Sequence, residues 1–550
     1  MKKFKKAISL MLVLTIALAM ASACGGGGGG GAPVAPSAPS SPAASPAATP
    51  AAPNPDAPPP EGDDVRFADT MDIIVDNNNI ATINFWSPAG NNTATWWAYN
   101  LIYDPLVEFA GESPTGGNEY NPRLALSWDT DDWQTITMQL RDDVYFHNGE
   151  KFTAEDVVWT VTTSREYPGT LGFDRWRDVE TVTALDTYTV EFVLRSVNAD
   201  FFFDVSAPAG GILNRKAMED NPETGTWIGT GAYQVAEFAT NDYVVMERND
   251  NYWLDPPITR VLTLRFVPEV STRLMMLQNA ESDVCFSISP TDLPTLEDDT
   301  ENFVIYPYYP TVGSFVGFNK NDPVVNDINF KMAVASALDR TEIALIARDR
   351  YAVPDTEGTF WGRDMEFRNR DIPIVPYDLD KAREYLEASP YNGEVIELAT
   401  AIATNIAASS VVQAQLARIG LTVEINQMDS PSLASYLTYS DNQSQMILFI
   451  APFNVSSTSA RGIFYPNGGQ NRTSFNTPAV SEMLDQASSI IDINERRDHF
   501  FRMQEVIAED PPGFNLYWLI NAASCVRGVA GIRFIYGDNV DMRYIYKVLD

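Results

Sequence analysis

Histidine is almost absent from this chain: 550 residues include two, His147 and His499. Cysteine is scarce as well, limited to Cys24, Cys285 and Cys525. No His-x-x-x-His, His-Glu-x-x-His or Cys-x-x-Cys spacing occurs. A transition-metal site built from protein side chains is therefore not expected. There is no Gly-x-Ser-x-Gly elbow and no phosphate loop, so hydrolase or nucleotide chemistry would lack a positioned nucleophile, base or phosphate cradle. No cofactor is expected. Basic residues are outnumbered, 38 Lys+Arg against 73 Asp+Glu, for a net charge of −35. Such a surface repels nucleic acid and anionic lipid alike. Acidic pairs such as Asp131-Asp132 and Asp298-Asp299 lack the spacing of a calcium loop and read as solvated loops. Beyond the N-terminus no apolar run is long enough to span a bilayer; 516–523 is apolar but short, and Asn521 interrupts it. There is no internal repeat.

What the chain does have begins at its N-terminus. Lys2, Lys3, Lys5 and Lys6 precede an apolar run at 7–20, and Ala21-Ser22-Ala23 places small residues directly before Cys24. This is a secretory signal peptide over 1–23. Its end resembles the lipobox of bacterial lipoproteins, in which the cysteine becomes an acylated N-terminus; Ala21 stands where Leu is usual. Two acyl chains would hold the protein on a membrane. Glycines at 25–31 and an Ala/Pro/Ser tract at 32–60 carry too little apolar surface to fold. Residues 24–62 read as a lipid-anchored, partly extended tether. The expected location is the outer face of the cell membrane.

The remaining body is too long for one hydrophobic core, and two lobes or three domains are expected. Residues 135–141 alternate, with Ile136, Met138 and Leu140 on one face of a strand. Asn148-Gly149 marks a turn. Thr153 and Asp156 form a capping box at the start of a helix. Tyr188, Val190, Phe192 and Leu194 alternate again, and further strands are expected at 243–247 and 261–267. In the second half, a strand at 394–399, a helix at 407–419, Gly420 at its C-terminal cap and alternating Leu421, Val423 and Ile425 form a βαβ unit with a parallel pair. Asp378 caps a helix through Leu386, and 494–509 is a helix burying Phe500, Met503 and Ile507. His499 is expected on that helix's solvated face. His147 reads as structural. Cys285 and Cys525 can pair in an exported protein, although two buried free thiols are the reading favoured.

Several blocks resemble solute-binding protein family 5, the receptors of ABC importers of the oligopeptide, dipeptide and nickel type. Leu140-Arg141-Asp142-Asp143-Val144-Tyr145-Phe146-His147-Asn148-Gly149, followed by Thr153-Ala154-Glu155-Asp156-Val157-Val158, is the nearest match, with Asn148 where Asp is usual. Gly229-Thr230-Gly231-Ala232-Tyr233, Glu247-Arg248-Asn249, Asn251-Tyr252-Trp253, Val316-Gly317-Phe318-Asn319, Ala337-Leu338-Asp339-Arg340, Gln415 to Gly420 and Arg496-Arg497 through Gln504-Glu505 continue it. The resemblance implies an α/β fold of the periplasmic-binding-protein type II class, bilobal, with three domains, mixed sheets and two interlobe crossings. Lobe I would comprise 63–103, an inserted subdomain at 104–225, 226–318 and a C-terminal return at 509–550; lobe II would be 319–508. The hinge would lie at Phe318, Asn319, Gly513 and Phe514.

The implied function is capture without covalent chemistry. A monomer would close on a peptide or peptide-like solute and deliver it to a permease and its ATPases, with no nucleic-acid partner. Loops between the matched blocks nominate ligand contacts: Trp86, Asn91 and Thr93; Tyr308 and Tyr309; Phe360, Trp361 and Arg363; and Phe453, Asn454 and Arg461. Trp96 and Trp97 fit a core helix. Peptide-binding relatives often carry an aspartate for the ligand's α-amine in the loop after the strand at 446–450. Here the stretch is Ala451-Pro452-Phe453-Asn454-Val455, without an acid. An oligosaccharide receptor of the same fold, or a surface sensor of signalling peptides without import, remains open.

Overall fold

The computed structural model describes residues 59–549, except for 61–64, 76–79, 91, 113–117, 208, 310–311, 359, 362–366, 453–456 and 536–538. The leader, Cys24 and the tether apart from Pro59 and Pro60 lie outside the described residues, as do Asn91, Arg363, Phe453 and Asn454.

Strand β1 (Thr70–Ile74) leads to helix α1 (Thr93–Ile102), whose first turn is capped by the Asn92 side chain accepting from the Thr95 N–H. An antiparallel sheet follows, made of β2 (Ala125–Asp129), β3 (Thr135–Leu140), β4 (Val179–Asp186) and β5 (Thr189–Leu194) in the order β2-β3-β5-β4. The alternation at 135–141 produces β3, with Ile136, Met138 and Leu140 all buried. Between β3 and β4, α2 (Ala154–Ser164) begins at the expected capping box. Asp156 Oδ2 accepts from the Thr153 N–H and from the Thr153 hydroxyl, each at 3.0 Å. A cluster reaching from Leu106 to Ile212, with Trp176, Phe192 and Phe201 inside it, gives this part of the chain a core of its own. Short helix α3 (Phe201–Ser206) contributes three phenylalanines there and nearby.

The chain then supplies β6 (Tyr233–Ala239), β7 (Tyr243–Arg248), β8 (Val261–Arg265), β9 (Val284–Cys285) and β10 (Phe303–Tyr308). It continues with β11 (Val312–Phe318), β12 (Ala352–Pro354), β13 (Ile396–Ala401), α4 (Ile402–Ala417), β14 (Val423–Met428) and β15 (Met446–Pro452). Helices α5 (Ser457–Phe464), α6 (Pro478–Ala487) and α7 (Ile493–Glu509) precede β16 (Gly513–Leu519) and β17 (Asn521–Val526). Two larger sheets result, ordered β10-β17-β9-β1-β8-β7-β6 and β12-β16-β11-β15-β13-β14. The expected βαβ unit is β13-α4-β14: its strands pair in parallel, and Gly420 after α4 has φ +87°, where a side chain would be strained. Each sheet has its own apolar clusters. The second is buried on both faces, with Val316 and Leu448 on one side and Phe315 and Phe449 on the other. At Gly313 the backbone lies against the indole of its cross-strand partner Trp518; an added Cβ would come within 2.7 Å of that ring.

The crossings between the sheets are not where the resemblance placed them. Phe318, Asn319, Gly513 and Phe514 belong to the second sheet and its immediate support. Gly317 pairs with Gly513 and Val316 with Phe514. The Phe318 N–H donates to Pro512 O at 2.9 Å, and the Asn319 side-chain amide donates to Ser444 O at 2.7 Å. Residues held in a ladder cannot absorb a hinge rotation. The chain instead passes between sheets at 309–311, where β10 of the first sheet gives way to β11 of the second, and at Ile520, between β16 and β17. The apolar run at 516–523 is thus two strands of two different sheets. His499 is also corrected: it is buried, its Nε2 2.7 Å from Met483 O. Arg496, Phe500 and Met503 of α7 are buried with it, and Met483 belongs to the neighbouring helix α6.

Cys285 and Cys525 are both buried and free. They lie on neighbouring strands, but Val284 is the residue opposite Cys525, while Cys285 is opposite Ser524. Adjacent residues of a strand point to opposite faces, so the two thiols are on different sides of the sheet. Ellman titration is expected to detect both thiols only after denaturation, and reductant should leave the melting temperature unchanged.

Candidate functional site

The strand directions decide where a ligand can sit. β8 and β9 both run parallel to β1, and β10 runs the same way because it and β9 are each antiparallel to β17. The carboxyl ends Ile74, Arg265, Cys285 and Tyr308 therefore line one edge of the first sheet. In the second, β13 is parallel to β14 and β15, and β15 is antiparallel to β11, with Pro452 opposite Val312. Ala401, Met428 and Pro452 thus share the edge at which β11 begins. Both passages, 309–311 and Ile520, run from the carboxyl edge of one sheet to the carboxyl edge of the other. In open α/β sheets, ligands bind outside that edge, where loops rather than ladders end.

The passage at Ile520 is braced rather than loose. The Ile520 N–H donates to Tyr351 O at 3.0 Å. Its carbonyl accepts from Arg348 Nη2 at 3.3 Å, and the same nitrogen reaches Asn521 Oδ1 at 3.2 Å. The Tyr351 hydroxyl donates to Glu297 of the first lobe, and Arg350 pairs with the same carboxylate. Burial raises the Tyr351 phenol above its ordinary value, which keeps the hydroxyl protonated as a donor. This brace was not foreseen. Its one trace in the sequence is the charged run Arg348-Asp349-Arg350 before Tyr351. A second support escaped notice too: Asp355 accepts from the Trp518 indole N–H at 3.0 Å and from Arg368 Nη2 at 3.2 Å, fixing β16 just before the passage.

The nominated contacts do not form one cluster. Tyr309 stands in the first passage and is 57% exposed. Tyr308 is turned the other way, buried and stacked on Phe534 with centroids 4.4 Å apart. Phe360 and Trp361 belong to the core of the second lobe. Phe360 meets Phe315 edge-on at 4.7 Å; Trp361, 1% exposed, stacks on Phe464 of α5 at 5.8 Å. Two large rings flanking a loop proved to be the plug between a sheet and its helices. Trp86 is likewise packed, its Nε1–H donating to Ser164 Oγ at 2.8 Å and its ring stacked on Tyr167 at 5.2 Å. Thr93 opens α1. Arg461 lies on α5, paired with Asp485 at 2.8 Å and lying over the Tyr465 ring at 4.2 Å. The strand end at Pro452, which leads toward Asn454, does reach the same edge as Tyr309.

The rest of the chemistry is structural. His147 accepts from the Gly229 N–H at Nδ1 (3.2 Å) and donates from Nε2 to Gly231 O (3.0 Å). Burial pushes its pKa down, so the ring stays neutral and pins the hairpin to the glycine turn. Asp104 collects donors from Arg123, Tyr252, Trp253 and Thr230, and a carboxylate so saturated is a buried joint rather than a base. Among the described residues no His, Cys, Asp or Glu group of three or more is placed to hold a metal ion.

A family model for bacterial extracellular solute-binding proteins, family 5, matches residues 119–475. The chain belongs to that family. A family 5 protein of this kind is a solute-binding component of the ABC-importer type and not an enzyme. The dipeptide-binding protein DppE of Bacillus subtilis (strain 168) is 23% identical over 493 residues, spanning 81% of this chain and 86% of the relative. The nickel-binding periplasmic protein of Escherichia coli (strain K12) is 24% identical over 355 residues, 60% of this chain and 66% of that relative. Among solved structures, the periplasmic binding protein DppA of Helicobacter pylori in complex with the peptide STSA superposes with a TM-score of 0.73 at 22% identity, covering 88% of this chain and 98% of that one. The fold is the bilobal one of family 5.

The packing separates structural aromatics from exposed ones. Trp361→Ala is expected to lower unfolding stability by about 3–5 kcal/mol, whereas Tyr309→Ala should change it by less than about 0.5 kcal/mol, both read from urea denaturation.

Proposed function

We propose that this family 5 protein is a lipid-anchored receptor, held at the outer membrane face through Cys24, that closes two lobes on a peptide or peptide-like solute and passes it to an ABC permease. The observation that carries the reading is the pair of carboxyl edges turned toward the same two passages. A solute bridging those edges touches both lobes at once, and its extra contacts in the closed form are what favour closure. No bond in the solute need change. The second lobe then spans 312–519, with an inserted subdomain at 104–225 extending the first.

Peptide is the preferred cargo because peptide is named for the relatives DppE and DppA. The stretch 451–455 has no carboxylate, so a charged α-amine finds no counter-ion there, and a blocked or modified peptide fits better than a free one. Tyr309 is the nominated contact that stands exposed in a passage, and its ring offers a stacking face. Asn91, Arg363, Phe453 and Asn454 remain proposed contacts. Glycine and Ala/Pro/Ser tracts from 25 to 60 give the reach from the membrane.

Native mass spectrometry of the protein purified from its own membranes tests both halves of the proposal. A retained molecule with peptide fragmentation, lost or depleted in Tyr309→Ala, is expected, together with an N-terminus at residue 24 bearing acyl mass. A retained sugar would overturn the peptide cargo. An unacylated N-terminus would overturn the anchor.

A further inference from the structure

Away from the two passages, the inserted subdomain and the second lobe meet at a buried ion pair. Arg496 Nη2 on α7 lies 2.5 Å from Asp200 Oδ1, just ahead of α3, and the two side chains are 7% and 5% exposed. Beside it the Ala199 N–H donates to Ser488 O, after α6, at 2.7 Å. Both sides are stiff. Asn198 accepts from the Asp200 N–H at 2.9 Å and donates to Asp178 at 3.2 Å, while its own N–H donates to Trp133 O. Arg496 lies over the Phe500 ring at 5.7 Å, and Phe500 in turn packs on Trp361 in the second-lobe core. Phe201, next to Asp200, and Phe500, one turn from Arg496, belong to separate apolar clusters. Their chain connection runs only through the first lobe and the two passages, so a rotation at the passages must part them.

We propose that Asp200–Arg496, with the Ala199–Ser488 hydrogen bond, is a latch that forms only when the lobes close and that requires both charges. This rests on the two-lobed capture reading above. Burying two charges costs about what their attraction returns, so the latch adds little net closing force. Burying one charge without the other is heavily penalised, so the pair acts as a register key: the closed state is reached only in the geometry that joins them. Asp204, one turn along α3, fits this account. Burial, and then the Asp200 charge, push its carboxyl up to about 8, against the pull of Arg175 and Arg177. It stays protonated at neutral pH and leaves the charge facing Arg496 to Asp200.

The test uses the full-length acylated protein with spin labels at Lys216→Cys on the subdomain and Lys381→Cys on the second lobe, both of which are exposed. Cys285 and Cys525 are buried and stay unlabelled. Pulsed electron resonance reads the distance between labels both in the protein as purified with its retained solute and after emptying by unfolding and refolding, and thermal melting confirms that each variant is folded. Asp200→Asn and Arg496→Met are each expected to lower the closed-to-open ratio by roughly 30-fold or more, and Asp200→Leu with Arg496→Met to restore it. Single variants with the wild-type distance distribution overturn the latch, as does a double variant that stays open. If that shared distribution is two-peaked, the capture reading stands without the latch; one narrow peak in every variant, wild type included, removes both.

Discussion

Backbone hydrogen bonding around the two passages is the constraint on which the rest depends. The same two segments of chain supply paired strands to both sheets: Phe303–Tyr308 with Asn521–Val526 in the first, Val312–Phe318 with Gly513–Leu519 in the second. Buried N–H and C=O groups must be paired, so each ladder is rigid up to its last rung. What lies between the ladders is 309–311 on one segment and Ile520 on the other. Ile520 has its own polar groups taken by Tyr351 and Arg348, which confines it further. Rotation of one lobe against the other, which the proposed capture calls for, would have to be taken up where the chain passes between the sheets.

Much of the fold was legible because local chemistry and global packing agree. The alternation at 135–141, the Thr153–Asp156 capping box, the Asp378 cap and the helix–Gly420–strand sequence each became the expected element. The points where the chain changes sheet were not legible, for a physical reason. Val312 to Phe318 is buried on every residue, on both faces of a central strand, so it lacks the period of two that marks a half-buried strand. Its two glycines and the prolines before Gly513 look like loop signals, yet Gly313 is small because the Trp518 ring lies against it. The break that mattered comes at Ile520, just before the polar Asn521, which reads as an interruption of an apolar run and is the first residue of a strand in the other sheet.

The candidate site was legible as a region and not as a list of residues. Aromatic side chains next to loops were nominated for a cleft, and Phe360, Trp361, Trp86 and Tyr308 turned out to be packing residues. A large ring gains more from complete burial than from stacking on a transient guest, and sequence position alone does not show which side of a loop it faces. Arg461 carried a charge toward the site on paper, and in the fold spends it on Asp485. Polar contacts between the lobes instead join elements far apart in the chain, such as Tyr351 with Glu297 and Arg496 with Asp200. No local pattern announces such pairs.

Hydrogen–deuterium exchange, compared between the protein carrying its native solute and the protein emptied by unfolding and refolding, tests the location of the hinge most directly. Protection is expected to change at 309–311, at Ile520 and at the carboxyl-edge loops, while the ladders containing Phe318 and Gly513-Phe514 hold steady in both states. Altered exchange centred on Phe318-Asn319 and Gly513-Phe514, with none at Ile520, would contradict the account.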